Sequence, residues 1–372
     1  MKKFKIVLSV ILSVLLLAAG FYGFYIPAVA SENVSTYVAL GDSITTGYGL
    51  VNFNSNDVKN KTSEYNFVTK LGNKLGKQPV NLGIEGLDTT RMLKSISKPA
   101  TAGEKAAAAQ IEKASLITVS IGGNNVLLPL LEAINRQLRD GKTVYDAAPE
   151  EIQIAVFTLL FDPAAMKKMQ KDISDGAALF TGDSKKTGEF ISIINAVKKL
   201  NPKAQIVVQT IYSPYRQFLP AAVDTAIKAM NAEIIKDSAN EKNYKVADVY
   251  SAFSKAGTGS RLVNADSGKS FDPHPTRDGH KVIYTLLAYS AKNNVFPYGI
   301  KTNITKGKLA LKISAGELQL TVTPDKGYKP PQSISLTVGK TAKKILVPQN
   351  GRAVIPVAEA GDDISVSAVC TK

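Results

Sequence analysis

The sequence predicts an α/β protein: a parallel sheet with helices on both faces, followed by a small all-β unit. Strand-like and helix-like patterns alternate from Tyr37 to Lys292, the order that builds parallel sheets. The alternation stops near Val295-Phe296-Pro297-Tyr298-Gly299, and period-two patterning takes over. A chain of 372 residues has room for two such domains.

Tyr37-Val38-Ala39-Leu40 is a short apolar run of strand type that ends in Gly41-Asp42-Ser43. Gly41 allows a sharp turn, so Ser43 is expected at a strand-to-loop corner, where α/β sheets hold their ligands. After a polar loop, Glu64 to Leu75 places Phe67, Leu71 and Leu75 at helical spacing. Val80 to Ile84 reads as a strand and Glu85 to Thr90 as the loop after it. Thr101 to Lys113 is an alanine-rich helix. Ser115 to Ile121 is a buried strand running into Gly122-Gly123-Asn124-Asn125.

Helices are expected over Val126 to Leu138, over Pro149 to Leu160, and from Pro163, a first-turn proline. This helical region either covers a site opening above the sheet or packs on its outer face. Glu189 to Leu200 is an amphipathic helix. Gln205 to Thr210 is a strand, Ala221 to Ala239 a long helix, and Lys245 to Tyr250 a strand. Phe271 to Gly279 is a loop, and Asp278 to Lys292 the closing helix.

From about residue 303 to 372, the segments Leu309–Ile313, Leu318–Thr323, Ser333–Val338, Lys344–Val347, Ala353–Val357 and Ile364–Val369 alternate apolar and polar residues. A unit of about 70 residues without disulfides is near the lower limit of independent stability and is expected to lean on the first domain.

Residues 1–30 read as an export leader. Lys2, Lys3 and Lys5 precede an apolar core from Ile6 to Ala19, and Ala28-Val29-Ala30 is a small-x-small cleavage pattern. The apolar stretch runs on to Ile26, so an uncleaved membrane anchor is the competing reading. The single cysteine, Cys370, excludes an intrachain disulfide and a cysteine-rich zinc site. No metal or other cofactor is expected. A formal charge of +15 suits anionic cell-wall polymers or a membrane surface. The lysines are scattered rather than interleaved with aromatics, which argues against nucleic acid.

The chain has only two histidines, His274 and His280, both in Phe271-Asp272-Pro273-His274-Pro275-Thr276-Arg277-Asp278-Gly279-His280. Histidine is the usual base for activating a serine hydroxyl near neutral pH. Prolines on both sides keep His274 extended and stiff. In an extended segment, residues two apart project to one side, so Asp272 is positioned to accept the Nδ1 proton of His274. Asp266 and a backbone carbonyl are the other candidates for that role. His280 starts a helix and reads as a packing residue. When a serine attacks an ester, charge develops on the carbonyl oxygen, and donors must be waiting for it. The backbone N–H groups of Ser43 and Gly86 and the side-chain amide of Asn124 are the candidates.

These segments resemble the sequence blocks of the GDSL, or SGNH, hydrolase family. Gly41-Asp42-Ser43 is similar to its first block, with Ser43 in the nucleophile's place. Asn81-Leu82-Gly83-Ile84-Glu85-Gly86 is similar to the second, with Gly86 as an oxyanion-hole donor. Ile121-Gly122-Gly123-Asn124-Asn125 is similar to the third, with Asn124 as another. Asp272-Pro273-His274-Pro275 is similar to the last, with His274 as base. The resemblance covers about residues 36 to 293. It implies a flavodoxin-like three-layer α/β/α sheet and a metal-independent lipase or esterase. The chain departs from the pattern twice. Asn125 stands where the family has aspartate, and Phe271 stands three residues before the histidine, where the family has its aspartate. Leu320 to Gly339 resembles short β-sandwich repeats of Gram-positive surface proteins, which implies a spacer or binding accessory.

The expected organisation is a leader (1–30), a hydrolase domain (31–298) and a β-sandwich-like module (303–372). The expected protein is secreted, in association with the cell surface or free, and cleaves lipid or small acyl esters. The alternatives are a non-catalytic wall or membrane binder and a deacetylase of acetylated sugars.

Overall fold

The computed structural model describes residues 36–53, 63–215, 221–267, 271–339, 344–361 and 363–372. The expected leader lies outside them. The first sheet has five parallel strands: β1 (Thr36–Gly41), β2 (Gln78–Asn81), β3 (Ala114–Ser120), β4 (Gln205–Gln209) and β5 (Lys245–Ala247). Their order is β2-β1-β3-β4-β5, the flavodoxin-like order. β1 is buried along its whole length and β3 at all but Ser115, as their apolar runs require for strands covered on both faces. Helices Phe67–Leu75 and Arg277–Ala291 pack together, and helices Ala102–Lys113 and Glu189–Leu200 pack together. The chain leaves β1 toward β2 on one side and returns to β3 on the other. The crevice this reversal opens lies at the carboxyl ends of β1 and β3. Ser43 follows β1, and Asn124 follows β3.

Local chemistry explains the helix limits. Asn66 caps Phe67–Leu75 by accepting the Val68 N–H at 3.0 Å. Thr101 and Glu104 form a capping box at the start of Ala102–Lys113. Pro149 and Pro163 open helices Pro149–Leu160 and Pro163–Thr181.

Three elements differ from expectation. Thr89–Ser97 is a helix, capped by Asp88, which accepts the Arg91 N–H at 2.8 Å. Its buried face is only Thr89, Met92 and Ile96, too sparse a stripe to stand out in the sequence. The strand expected over Lys245 to Tyr250 ends at Ala247, because Asp248 caps the helix Val249–Ala256. A further strand, β6 (Gly299–Thr305), begins before the expected start of the β unit. It is mostly exposed, so it carries no alternation to read.

Beyond it lie β7 (Gly307–Ser314), β8 (Glu317–Pro324), β9 (Ile334–Val338), β10 (Lys344–Leu346), β11 (Arg352–Pro356) and β12 (Asp363–Val369). They form sheets of order β10-β9-β12-β6 and β11-β8-β7. Leu318, Leu320 and Val322 of one sheet and Ile334, Leu336, Ile364 and Val366 of the other are buried. This unit does lean on the first. Gly316 presses so closely on Ser251 that a Cβ would fall 2.4 Å from the Ser251 carbonyl carbon. Lys255 pairs with Glu317 at 3.3 Å. No helix among the described residues is long and apolar enough to cross a membrane.

Candidate active site

Ser43 is the first residue of a single helical turn, Ser43–Thr46, that begins where β1 ends. Asp42 caps this turn, its Oδ1 accepting the Ile44 N–H at 3.0 Å. Gly41 must be glycine. A Cβ there would fall 2.4 Å from the Ser120 carbonyl oxygen and 2.1 Å from Thr45 Oγ1. The corner is pinned from the side. Asn66 and Asn81 both donate to the Thr45 carbonyl, at 2.9 and 2.7 Å, and the Ile84 N–H bonds the Gly41 carbonyl at 3.0 Å. The side chain of Ser43 is therefore presented by a rigid corner.

His274 arrives from the loop before the last helix of the α/β unit and is buried. Its Nε2 lies 2.8 Å from Ser43 Oγ, and its Nδ1 lies 2.5 Å from Asp272 Oδ1. Burial alone would raise the Asp272 carboxyl. Its hydrogen bond to the imidazole, the electrostatic attraction of His274 and the N–H groups of His274 and Asn264 outweigh that and hold it below the usual carboxylate range. An ionised Asp272 accepts the Nδ1 proton. Nε2 is then an acceptor aimed at the Ser43 hydroxyl. Asp266 sits elsewhere: its carboxylate accepts the Val263 N–H at 3.1 Å and closes the short turn Asn264–Ser267. The loop is braced from below. Tyr212 donates to the Pro273 carbonyl at 2.7 Å and Tyr215 to the Phe271 carbonyl at 2.9 Å.

Gly86 sits in a turn closed by the Leu87 N–H on the Ile84 carbonyl, at φ +69°, a conformation that favours glycine. The Arg91 guanidinium holds its carbonyl. Among the described residues nothing accepts the Gly86 N–H. Asn124 opens the helix Gly123–Asn135, and one N–H of its amide donates to the Leu87 carbonyl at 2.8 Å. Asn124 is thus tied to the Gly86 loop, with its second amide N–H left for another acceptor.

A model of the GDSL-like lipase/acylhydrolase family matches residues 39–282, about two thirds of the sequence. The chain belongs to the GDSL-like lipase/acylhydrolase family. No curated protein matches it. The solved structures it resembles are distant. A lipase from a goat rumen metagenome is 16% identical, over 69% of this chain and 97% of that one, with a TM-score of 0.44. A phospholipase A1 from Streptomyces albidoflavus is 17% identical, over 70% and 100%, with a TM-score of 0.44. An extracellular lipase from Streptomyces rimosus is 18% identical, over 69% and 99%, with a TM-score of 0.46.

In this GDSL-like chain the departure at Asn125 has a local cause. The Asn125 amide donates to Thr89 Oγ1 at 2.7 Å, and Thr89 Oγ1 in turn donates to Glu189 at 2.6 Å. The Thr89 hydroxyl has one proton, already committed to Glu189, so its neighbour must be a donor. Asparagine supplies one and aspartate does not.

Sequence reasoning missed several residues of the site. Asp42 is buried, and burial pushes its carboxyl up to about 6 against the Ile44 N–H and the charge of His274. The Tyr48 ring lies 4.7 Å from the imidazole of His274 and edges onto Phe53. The Tyr145 residue is largely exposed, and desolvation of its phenol, then Asp272 and Tyr48, push that phenol up to about 12. Position after a Gly-Asp-Ser corner was a signal for Tyr48. Tyr145, far away in sequence, had none.

Proposed function

We propose that the protein is an exported serine hydrolase that cleaves carboxylic esters through an acyl-enzyme on Ser43. The observation that carries this reading is the hydrogen-bonded chain from Ser43 Oγ through His274 to Asp272, with steps of 2.8 and 2.5 Å. Ser43 Oγ attacks the ester carbonyl carbon while its proton passes to His274 Nε2. The ionised Asp272 stabilises the imidazolium that results. The carbonyl oxygen takes up negative charge and is met by the N–H groups of Ser43 and Gly86 and the second amide N–H of Asn124. His274 returns the proton to the departing alcohol. Water then attacks the acyl-enzyme with His274 as base, releasing the carboxylic acid and restoring Ser43.

Tyr48 and Phe53 make the surface beside His274 aromatic, which favours lipid or aryl esters over acetylated sugars. The proposed organisation is a cleaved leader over residues 1–30, a catalytic domain over 31–298 and a β module that begins with β6, over 299–372. That module acts as an accessory on the outside of the cell, where a chain that keeps a formal charge of +12, the full +15 less the leader's three lysines, meets anionic wall or membrane polymers.

A fluorophosphonate probe tests the chemistry. The expected result is one covalent label on the wild-type chain, located at Ser43, and none on Ser43→Ala. A folded wild-type chain that takes no label would instead be a binder. A panel of esters with graded acyl chains, set beside acetylated sugars, then reads the substrate class.

A further inference from the structure

We propose that Asn264 is a positioning residue that aims Asp272 at His274. This rests on the serine-esterase reading and concerns the aspartate placed two residues before the histidine. At that spacing one oxygen does two jobs. Asp272 Oδ1 accepts the His274 backbone N–H at 3.0 Å and the ring Nδ1 proton at 2.5 Å. The backbone bond is an Asx turn, which forms whichever way the imidazole points. The torsion of the carboxylate about its last bond is soft. A third contact is needed to hold the carboxylate plane, and Asn264 provides one: its Nδ2 donates to Asp272 Oδ2 at 2.8 Å.

Asn264 is itself held to the loop it serves. Its backbone N–H donates to the His274 carbonyl at 3.0 Å, and the Ala265 N–H donates to the Asp272 carbonyl at 2.9 Å. The Thr276 N–H donates to the Leu262 carbonyl at 2.9 Å, and Val263 bridges to Pro275. Segments 262–265 and 272–276 are zipped together, so the amide and the carboxylate move as one body. Gly49 lies over the pair: a Cβ there would make ordinary contacts, 3.7 Å from Asp272 Oδ2 and 3.9 Å from Asn264 Nδ2. The donor is also neutral. A carboxylate at 264 would set a like charge against Asp272.

The test uses the full chain, a short activated ester, and kcat and KM measured separately. Asn264→Ala is expected to lower kcat by about 10- to 100-fold with KM little changed. In an Asp272→Ala background the same substitution is expected to cost less than about twofold, because its route to His274 is gone. Asn264→Asp keeps the size and every backbone bond. It is expected to lower kcat by at least about tenfold and to move the acid limb of kcat/KM upward by about one pH unit. Asp42, Tyr48, Asp272 and His280, the other groups around His274, stay as they are in that variant. An equal loss from Asn264→Ala in both backgrounds overturns the proposal. So does an Asn264→Asp enzyme with normal kcat and an unmoved acid limb. Should Asn264→Ala not fold, Asn264→Asp decides alone. If Asp272→Ala turns over normally, Asp272 loses its part in the esterase reading. If Asp272→Ala is crippled while Asn264→Ala is normal, only the role of Asn264 falls.

Discussion

Two histidines share one short segment, and both are buried, yet they live in opposite environments. His274 is on the loop and has a partner at each ring nitrogen, Ser43 on one side and Asp272 on the other. His280 is inside the following helix, stacked on Phe67 with ring centroids 5.8 Å apart. Its Nδ1 takes the Phe67 N–H at a long 3.5 Å, which leaves the proton on Nε2, and Nε2 has no partner among the described residues. Burial pushes the His280 imidazole down to about 3, helped by the charges of His274 and Lys70. Burial does not make a histidine chemical. A paired carboxylate and a reachable hydroxyl do, and only the loop supplies them.

The comparison breaks most visibly through His274. Replacing it by alanine removes the only group among the described residues positioned to take the Ser43 proton. Ester turnover is expected to fall by at least about 10³-fold, with the melting temperature nearly unchanged because the loop keeps its Tyr212 and Tyr215 braces. Turnover within tenfold of wild type would move the base elsewhere.

His280→Phe should show the reverse pattern. Activity is expected to stay within about twofold. The effect is on stability, and its sign follows from proton uptake. The unfolded chain protonates this histidine below its ordinary value of 6.5, while the folded chain does not until about 3. Unfolding therefore takes up a proton in that window, and stability falls as pH drops from 6.5 toward 3. The loss is roughly 1.4 kcal/mol per pH unit, or about 2 kcal/mol by pH 5. Denaturant melts at pH 7 and pH 5 read it. The phenylalanine variant is expected to lose about 2 kcal/mol less than wild type over that interval, and an identical loss in both proteins would refute the account.

The same contrast marks what was legible in the sequence. Ser43, His274, Gly86 and Asn124 were readable because each follows a strand or stands between prolines, and the sheet order brings those strand ends together. Asp272 was readable from its spacing alone. Asn264, Tyr212 and Tyr215 were not, because each acts through backbone or carboxylate contacts made by folding, and their neighbours in sequence give no pattern. The α/β alternation was legible from buried strands such as β1 and β3. The exposed β6 and the thinly buried helix Thr89–Ser97 were missed because little of their surface enters the core.

Asn124 and Asn125 repeat the contrast on a smaller scale. Both follow Gly123, one facing the Gly86 loop and the other turned into the protein against Thr89 and Gly176. Asn125→Asp restores the family's residue and is nevertheless expected to destabilise this chain. The new carboxylate keeps the Thr89 N–H, which Asn125 accepts at 3.2 Å, but it offers no proton to Thr89 Oγ1 or to the Gly176 carbonyl. Thr89 must then abandon Glu189 or leave a buried oxygen facing another. The expected cost is about 1–3 kcal/mol. It is expected to be larger at pH 8 than at pH 5, because burial and Glu189 penalise the ionised form of the new side chain. Turnover at 25 °C is expected to change less than about threefold, since Asn124 keeps its bond to Leu87. Equal stability of wild type and Asn125→Asp at both pH values would show that the Thr89–Glu189 pair tolerates a carboxylate, and that asparagine stands at 125 for another reason.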